Sequence, residues 1–181
     1  MELRAEWEGR IEKWMRALTQ DLYRPLGDIE LEGFETMDHL SFEEAMNGAF
    51  HPVRRGDAWG REWEYMWLRG HIVLPEEARG ERIVMRLDLG GEASLYVNGR
   101  PFGTRRAEWV MEQHHYFSDQ TLTDCAEPGT AFDLAFEAYA GHFFPGCEYG
   151  PVIPGTFPHP DPQARRAHLG HSTFGAWNEG A

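Results

Sequence analysis

Residues 131–140 alternate between apolar and polar side chains. Successive side chains of a β-strand point to opposite faces, so this period of two predicts a half-buried strand. The apolar positions are Phe132, Leu134, Phe136 and Ala138. Residues 62–74 alternate in the same way and predict a second long strand. Its two faces carry Trp63, Tyr65, Trp67, Arg69, His71 and Val73 on one side, and Met66, Leu68, Ile72 and Leu74 on the other.

A third β-region contains two glycine-rich breaks. Residues 82–89 and 93–97 have strand-like patterns and flank Gly90-Gly91-Glu92, and the second run ends at Asn98-Gly99. Asn and Gly accept the positive φ angles that tight hairpin turns require. A hairpin or a sharp corner is therefore predicted at residues 98–99, and the chain as a whole is predicted to be mainly β.

Residues 5–24 show a different period, which is typical of an amphipathic helix. Apolar residues recur at spacings of three and four, and Pro25 predicts the end of the helix. The stripe consists of Trp7, Ile11, Trp14, Met15, Leu18 and Leu22. It packs either on the sheet of its own domain or on a neighbouring domain absent from this chain. The predicted organisation is one domain, with a helical segment at 1–27 and a β-sandwich at 28–181.

The remaining segments are shorter or irregular. Ser41, followed three residues later by Glu44, forms a capping-box pattern that predicts a short helical turn. Residues 51–61 are predicted to be a charged, glycine-rich loop and residues 110–117 a strand. Residues 141–162 contain six prolines and four glycines. Such a composition predicts a long loop, and long loops commonly form functional sites or interfaces.

Composition and charge restrict the partners. The 181 residues carry 30 acidic and 17 basic side chains, a formal net charge of −13. The negative charge of the chain repels nucleic acid and anionic membranes, so it favours a neutral partner such as a carbohydrate. The two cysteines, the charged first residues and the lack of an apolar run long enough to span a membrane together predict a cytoplasmic protein.

The sequence contains no recognisable catalytic motif. A nucleophile elbow, a phosphate-binding loop and a dinucleotide fingerprint are all missing. Asp88, Glu92 and Glu137 are interpreted as structural acids, because spacing along the chain cannot place two carboxyls across a scissile bond. The nine histidines lack the tight spacing of a structural zinc site. The sequence therefore predicts no catalytic residue, no metal ligand and no cofactor in this chain.

Aromatic side chains are the better candidates for binding. Trp59, Trp63, Trp67 and Trp109 have flat apolar faces that could stack on the C–H side of a pyranose ring, although tryptophans are equally useful in a core. Trp59 lies within the glycine-rich loop. It is therefore interpreted as the exposed one, in contact with a ligand or a neighbouring domain.

Several short motifs carry a family resemblance. They are Gly90-Gly91-Glu92, Tyr96-Val97-Asn98-Gly99, Glu137-Ala138-Tyr139-Ala140-Gly141-His142, Gly170-His171-Ser172-Thr173-Phe174-Gly175 and Trp177-Asn178-Glu179. From about residue 60 to its end, the chain resembles the N-terminal region of bacterial α-mannosidases of glycoside hydrolase family 38. The resemblance implies a jelly-roll or galactose-binding-like β-sandwich with an N-terminal amphipathic helix.

The resemblance also implies a separate zinc-dependent catalytic domain in the same parent chain. That domain opens with a G-H-x-H-x-D motif, which does not occur here, so the resemblance transfers no zinc ligand to this chain. This chain is then an accessory domain, partnered by a C-terminal catalytic domain and by carbohydrate. His142, Glu148 and Tyr149 on the proline-rich loop are predicted to contact that domain or the sugar.

Three functions remain open at this point. The chain could be an accessory domain of an α-mannosidase-like glycosidase, a stand-alone carbohydrate-binding module, or a small acid–base enzyme that uses Glu and His of the proline-rich loop. An extended apolar patch would favour the first function. A shallow aromatic platform with polar neighbours would favour the second, and a deep pocket with two convergent carboxyls would favour the third.

Overall fold

The computed structural model describes residues 2–105, 120–141, 165 and 167–178. These residues form two α-helices, one short 3-10 helix at Glu76–Ala78 and twelve β-strands. The helices are α1 (Glu2–Leu22) and α2 (Phe42–Met46). The strands are β1 (Tyr23–Asp28), β2 (Leu31–Thr36), β3 (His51–Pro52), β4 (Ala58–Trp59), β5 (Tyr65–Val73), β6 (Arg82–Arg86), β7 (Glu92–Val97), β8 (Arg100–Arg105), β9 (Thr121–Thr123), β10 (Ala131–Tyr139), β11 (Ala167–His168) and β12 (Thr173–Trp177).

The strands form a β-sandwich of the jelly-roll type. The first sheet has the order β1-β12-β6-β9 and the second has the order β3-β2-β5-β10-β7-β8, with antiparallel pairing throughout. One buried hydrophobic cluster contains residues of both sheets, which shows that the sheets pack face to face. The mainly β fold predicted from the sequence is confirmed.

The central strands β5 and β10 follow the predicted alternation. Their inward side chains are buried in the core: Met66, Leu68, Ile72, Phe132, Leu134, Phe136 and Ala138. The two strands pair along their full length, from Ala131 opposite Val73 to Tyr139 opposite Tyr65. This pairing fixes which side chains share the outer face of the six-stranded sheet, because side chains directly opposite each other lie on the same face.

The two glycine-rich breaks have different structural roles. Gly90-Gly91 joins β6 of one sheet to β7 of the other. A Cβ at Gly90, where φ is 79°, would lie 2.6 Å from the carbonyl oxygen of His168, so only glycine fits this crossing. Asn98-Gly99 forms the two-residue turn between β7 and β8, with φ angles of 51° and 73°. The hairpin predicted at this position is confirmed.

The N-terminal segment differs from the prediction in two respects. Helix α1 ends at Leu22, and Tyr23–Asp28 is strand β1, which pairs with β12. Residues 23–27 are thus part of the sandwich, whereas the sequence assigned them to the helical segment. In addition, four residues of the predicted stripe, Trp7, Ile11, Trp14 and Met15, are exposed. For these four residues, packing on the domain's own sheet is contradicted.

Helix α2 lies over the outer face of the six-stranded sheet, where Phe42 contacts Trp67 and Tyr96, and the segment after it forms the edge strand β3. The capping box is confirmed: the Glu44 backbone N–H donates to the Ser41 hydroxyl, and the Ser41 N–H donates to the Glu44 carboxylate. Residues 51–61, predicted as a loop, contain the two-residue strands β3 and β4. The predictions for residues 110–117 and for the proline-rich loop at 142–162 lie outside the described residues.

Candidate functional site

The predicted exposure of Trp59 is wrong. Its side chain is 1% exposed, and its indole N–H donates to the carbonyl oxygen of Leu89 over 3.0 Å. Trp59 is held in this position because β4 pairs with β11, where Ala167 lies opposite Trp59. A buried indole offers no face to a sugar.

The other predicted site residues, His142, Glu148 and Tyr149, lie outside the described residues, and so does Trp109. Trp67 is completely buried, whereas Trp63 is half exposed. Trp63 has a φ of 67°, which is rare for a bulky side chain, and its backbone N–H donates to the Gly141 carbonyl oxygen. The structure therefore describes the placement of only Trp59 among the predicted site residues, and the site at His142, Glu148 and Tyr149 stays a prediction.

Helix α1 carries one unusual surface. We call Trp7, Ile11, Trp14 and Met15 the apolar stripe; their side chains are 57%, 54%, 78% and 62% exposed. The spacing of these residues places them along one face of the helix. Adjacent exposed side chains of this size commonly mark an interaction surface.

A cleft of about 460 Å³ opens on the outer face of the six-stranded sheet. We call it the aromatic cleft. It is lined by His39, Tyr65, Glu92, Ala93, Ser94, Thr104, Arg105, Glu137 and Tyr139. Strand register brings these residues together, since Tyr139 lies opposite both Tyr65 and Glu92, and Ser94 lies opposite both Glu137 and Thr104.

Three rings form one side of the aromatic cleft. The rings of Tyr65 and Tyr139 pack against each other, with centroids 5.0 Å apart and planes inclined at 32°. The imidazole of His39 stands edge-on to Tyr65, with 5.5 Å between the centroids. Burial raises the pKa of the Tyr139 hydroxyl, as do the negative charges of nearby acidic groups. The Tyr139 phenol is therefore a neutral hydrogen-bonding group at physiological pH.

Glu137 is the acidic group at the centre of the cleft. Its side chain is only 13% exposed, and its Oε1 atom lies 3.8 Å from Nε2 of His39, beyond hydrogen-bond distance. Burial raises the pKa of the Glu137 carboxyl, and the charge of His39 opposes that shift. Within the described part of the chain, Oε1 has no hydrogen-bond donor. A buried acceptor without a donor is costly to the fold.

A second buried polar atom without a partner lies next to Glu137. Trp67 is directly opposite Glu137 in the pairing of β5 with β10, and its indole N–H has no acceptor among the described residues. The indole is enclosed by Phe42 of α2 and by Tyr96, with ring centroids 6.4 and 5.8 Å away. Among the described residues, the outer face therefore carries one buried acceptor without a donor and one buried donor without an acceptor, on two cross-strand neighbours.

The far end of the cleft is fixed by Arg105. Its guanidinium group donates to the carbonyl oxygens of Leu87 and Gly91 over 3.1 and 2.7 Å. These bonds connect β8 to the segment that crosses between the sheets. Ser94 and Thr104 add two hydroxyl groups to the lining. Aromatic faces, a carboxylate and hydroxyls together can bind a polar ligand that has an apolar side.

Two other kinds of feature, a metal cluster and a membrane-spanning helix, concern the described residues. In that part of the chain, no group of three or more His, Cys, Asp or Glu side chains is placed to hold a metal ion. Among the same residues, no helix has the length and apolar character needed to cross a membrane.

Little in the sequence indicates the aromatic cleft. Glu137 was interpreted as a structural acid, and Tyr65 and Tyr139 as alternating residues of two separate strands. The missing information is the register, which brings residues more than seventy positions apart onto one patch of the sheet. The available signal was the polar residue Glu137 within a strongly apolar strand.

A family model described as "Alpha-mannosidase, jelly roll domain" matches residues 25–152, more than half of the chain. Among curated proteins, Alpha-mannosidase 2C1 of Mus musculus is 30% identical over 73 residues, which is 40% of this chain and 7% of that protein. Alpha-mannosidase 2C1 of Homo sapiens is 30% identical over 71 residues, again 7% of its length. The matched region is thus a small part of these relatives.

Solved structures with the same fold include β-glucuronidase from Ruminococcus gnavus. Its complex with uronic deoxynojirimycin aligns with 87% of this chain and 29% of that chain, with a TM-score of 0.52 and 14% identity. Its complex with D-glucuronic acid aligns with a TM-score of 0.53 and 13% identity, over 87% of this chain and 30% of that one. At this level of identity, the similarity concerns the fold alone.

Proposed function

Because this chain belongs to the alpha-mannosidase jelly roll domain family, we propose that it is an accessory β-sandwich domain of a longer α-mannosidase-like glycosidase. Its role is to hold a separate catalytic domain of the same parent chain in position. The matched relatives support this arrangement, because the matching segment makes up only 7% of each Alpha-mannosidase 2C1.

The apolar stripe is the observation that carries the proposal. Three large side chains and an isoleucine are held in water along one helix face, although burial of an apolar side chain stabilises a protein by roughly 1.5–3 kcal/mol. A helix with this surface gains stability once another domain covers it. The catalytic domain of the parent chain is the occupant proposed here, since tethering in one polypeptide gives it a high effective concentration.

The proposed accessory role also covers the position of the zinc site, the contacts of the proline-rich loop and the cellular location. The zinc ion and the catalytic groups implied by the family resemblance belong to the partner domain. His142, Glu148 and Tyr149 remain the proposed contacts of the proline-rich loop with that domain or its substrate. A cytoplasmic location is also part of the proposal and rests on the low cysteine content of two in 181 residues.

The test compares the chain alone with the chain in the presence of the rest of its parent polypeptide, expressed separately. Size-exclusion chromatography with light scattering should show a complex of the two parts. Trp14→Glu places a charge in the apolar stripe and should weaken that complex at least tenfold. Lys13→Gln changes the net charge by the same amount on an adjacent exposed position and should have little effect.

Two results would overturn the accessory role. One is a gene whose reading frame stops at Ala181, because no catalytic domain would then be available. The other is a complex whose affinity is the same for Trp14→Glu and for the unaltered chain, since the apolar stripe would then lie outside the interface.

A further inference from the structure

The aromatic cleft lies on the six-stranded sheet, and the proposed accessory role makes no use of it. We propose that this cleft binds a neutral pyranose sugar, with Tyr65 and Tyr139 against the C–H face of the ring and Glu137 accepting hydrogen bonds from its hydroxyls. The site is built from β5, β7, β8 and β10 together with His39 of the segment before α2.

The tyrosine pair provides the apolar part of the site. One face of a pyranose is formed by axial C–H groups, which pack against aromatic rings in the way other apolar groups do. Tyr65 and Tyr139 are cross-strand neighbours whose rings pack against each other with centroids 5.0 Å apart, so each ring holds the other in place and the pair forms a rigid aromatic platform at the cleft. The platform lies in a cleft of about 460 Å³, large enough for a monosaccharide.

Hydrogen bonding selects a hydroxyl-rich ligand. Glu137 lines the cleft with a side chain that is 13% exposed, and its Oε1 lacks a donor within the part of the chain that the structure describes. A hydroxyl group can donate and accept at the same time, whereas an ammonium group can only donate. The hydroxyls of Ser94 and Thr104 and the exposed carboxylate of Glu92 offer further partners for a polyol along the same cleft.

Charge selects against an acidic sugar. Glu92 and Glu137 both line the cleft, and the whole chain carries a formal charge of −13. Arg105, the arginine of the lining, already donates to the carbonyl oxygens of Leu87 and Gly91. The guanidinium keeps its single positive charge, but the two carboxylates of the lining outnumber it, so a uronate or a sugar phosphate would meet net repulsion. A neutral hexopyranose avoids this cost.

The cost of the Glu137 carboxylate to the stability of the fold supports a ligand role for this residue. A carboxylate that is 13% exposed and whose Oε1 lacks a donor among the described residues destabilises the folded protein relative to a neutral side chain of the same shape. Binding sites commonly retain groups that are unfavourable for stability, because the ligand supplies the missing interactions. The predicted pattern is that neutralising Glu137 weakens binding without weakening the fold.

The experiment is a titration of the ¹⁵N-labelled 181-residue chain with methyl α-D-mannopyranoside, followed by amide chemical shifts. The choice of a mannoside as the first probe rests on the proposed function, and methyl β-D-glucopyranoside serves as a second neutral probe. A ligand of this size should bind with a dissociation constant of about 1–10 mM. The shifted amides should belong to β5, β7 and β10.

Variants separate binding from folding. Tyr139→Ala and Glu137→Gln should each raise the dissociation constant at least fivefold, while Tyr139→Phe, which keeps the ring, should stay within twofold. Trp14→Glu in the apolar stripe should leave sugar binding unchanged. Because Trp14→Glu is also the variant that tests domain docking, failure of the sugar site and failure of the accessory role give different results.

Three outcomes would overturn the sugar site. The first is the absence of shift changes with either neutral sugar up to about 100 mM, a concentration at which millimolar binding is saturated. The second is binding that Tyr139→Ala does not weaken. The third is stronger binding of sodium D-glucuronate or of tetramethylammonium chloride than of the neutral sugars, which would reassign the cleft to an anion or to a cation.

Discussion

At the scale of single residues, the turn at Asn98-Gly99 shows how backbone geometry restricts sequence. Both residues have positive φ, which suits the tight turn between two strands with a right-handed twist. The Asn98 side chain also accepts a hydrogen bond from the Asp133 backbone N–H over 2.9 Å, and the Asn98 N–H donates to the Asp133 carbonyl. The turn is therefore attached to β10 as well as closing its own hairpin.

Replacing Gly99 by valine should destabilise the chain by about 1–2 kcal/mol, because a β-branched residue is strained at a φ of 73°. Steric contact is not the cause, since a Cβ there would lie 3.9 Å from the nearest Phe42 atom. Urea denaturation measures the effect, with Gly99→Asn as the control that tolerates positive φ. Equal losses for the two variants would show that φ is not the determining factor.

The Glu137 carboxyl should make stability depend on pH. Its pKa is raised by burial in the folded state. The protonated form thus favours folding, and this contribution is complete below the unfolded pKa of about 4.3 and is lost as the pH rises through the higher folded value. Glu137→Gln should therefore raise the melting temperature at pH 7.5 and have a smaller effect at pH 4.

The matched control for this prediction is Glu127→Gln, which removes the same charge at an exposed position. Thermal unfolding of both variants at the two pH values separates the buried carboxyl from the overall change in net charge. The same gain in both variants would attribute the effect to net charge rather than to burial at position 137.

At the scale of elements, α2 has only five residues and depends on its cap. Isolated helices of this length are not stable in water, so tertiary contacts and the capping box must hold it. Its contact is the ring of Phe42, which lies against Tyr96 with 4.9 Å between centroids and covers Trp67. The cap therefore supports the aromatic surface next to the cleft.

Ser41→Ala removes the hydroxyl that accepts the Glu44 N–H and should cost about 1 kcal/mol of unfolding free energy. Ser41→Thr keeps a hydroxyl at the N-cap and should recover most of the loss. Urea unfolding followed by tryptophan fluorescence is the measurement, because Trp67 lies under α2. If threonine and alanine destabilise equally, the hydroxyl is not the stabilising group.

Elements with strong local patterns were predictable from the sequence, and those formed by long-range pairing were not. Strand β10 alternates cleanly and was identified with nearly its observed bounds. Strand β1, Tyr23–Asp28, contains Pro25 and Gly27, so local propensity argued against it, and only its pairing with β12 makes it a strand. Trp59 was misjudged for the same reason, since β4 exists through its pairing with β11.

At the scale of the whole molecule, the family predicted from short motifs is confirmed by the alpha-mannosidase jelly roll match over residues 25–152. The motifs identified the family because they contain residues that the backbone geometry of the fold requires. Gly90 allows close approach of His168 at the crossing between the sheets, and Asn98-Gly99 closes a hairpin. The aromatic cleft has no comparable motif, because its residues are brought together by strand register rather than by a local backbone requirement.

The net charge of −13 should also be visible in the stability of the whole chain. Mutual repulsion of acidic groups destabilises a compact state, and salt screens charges that lie farther apart than about 8–10 Å near physiological ionic strength. Raising sodium chloride from about 10 to about 150 mM at pH 7.5 should therefore raise the melting temperature by a few degrees. Surface ion pairs such as Arg69–Glu32 weaken in salt and partly offset the gain, but exposed pairs contribute little.

The internal control is the same salt series near the isoelectric point of about 5.1, where repulsion is small and the shift should nearly vanish. An equal rise at both pH values would assign the effect to general salt stabilisation instead of to the acidic surface.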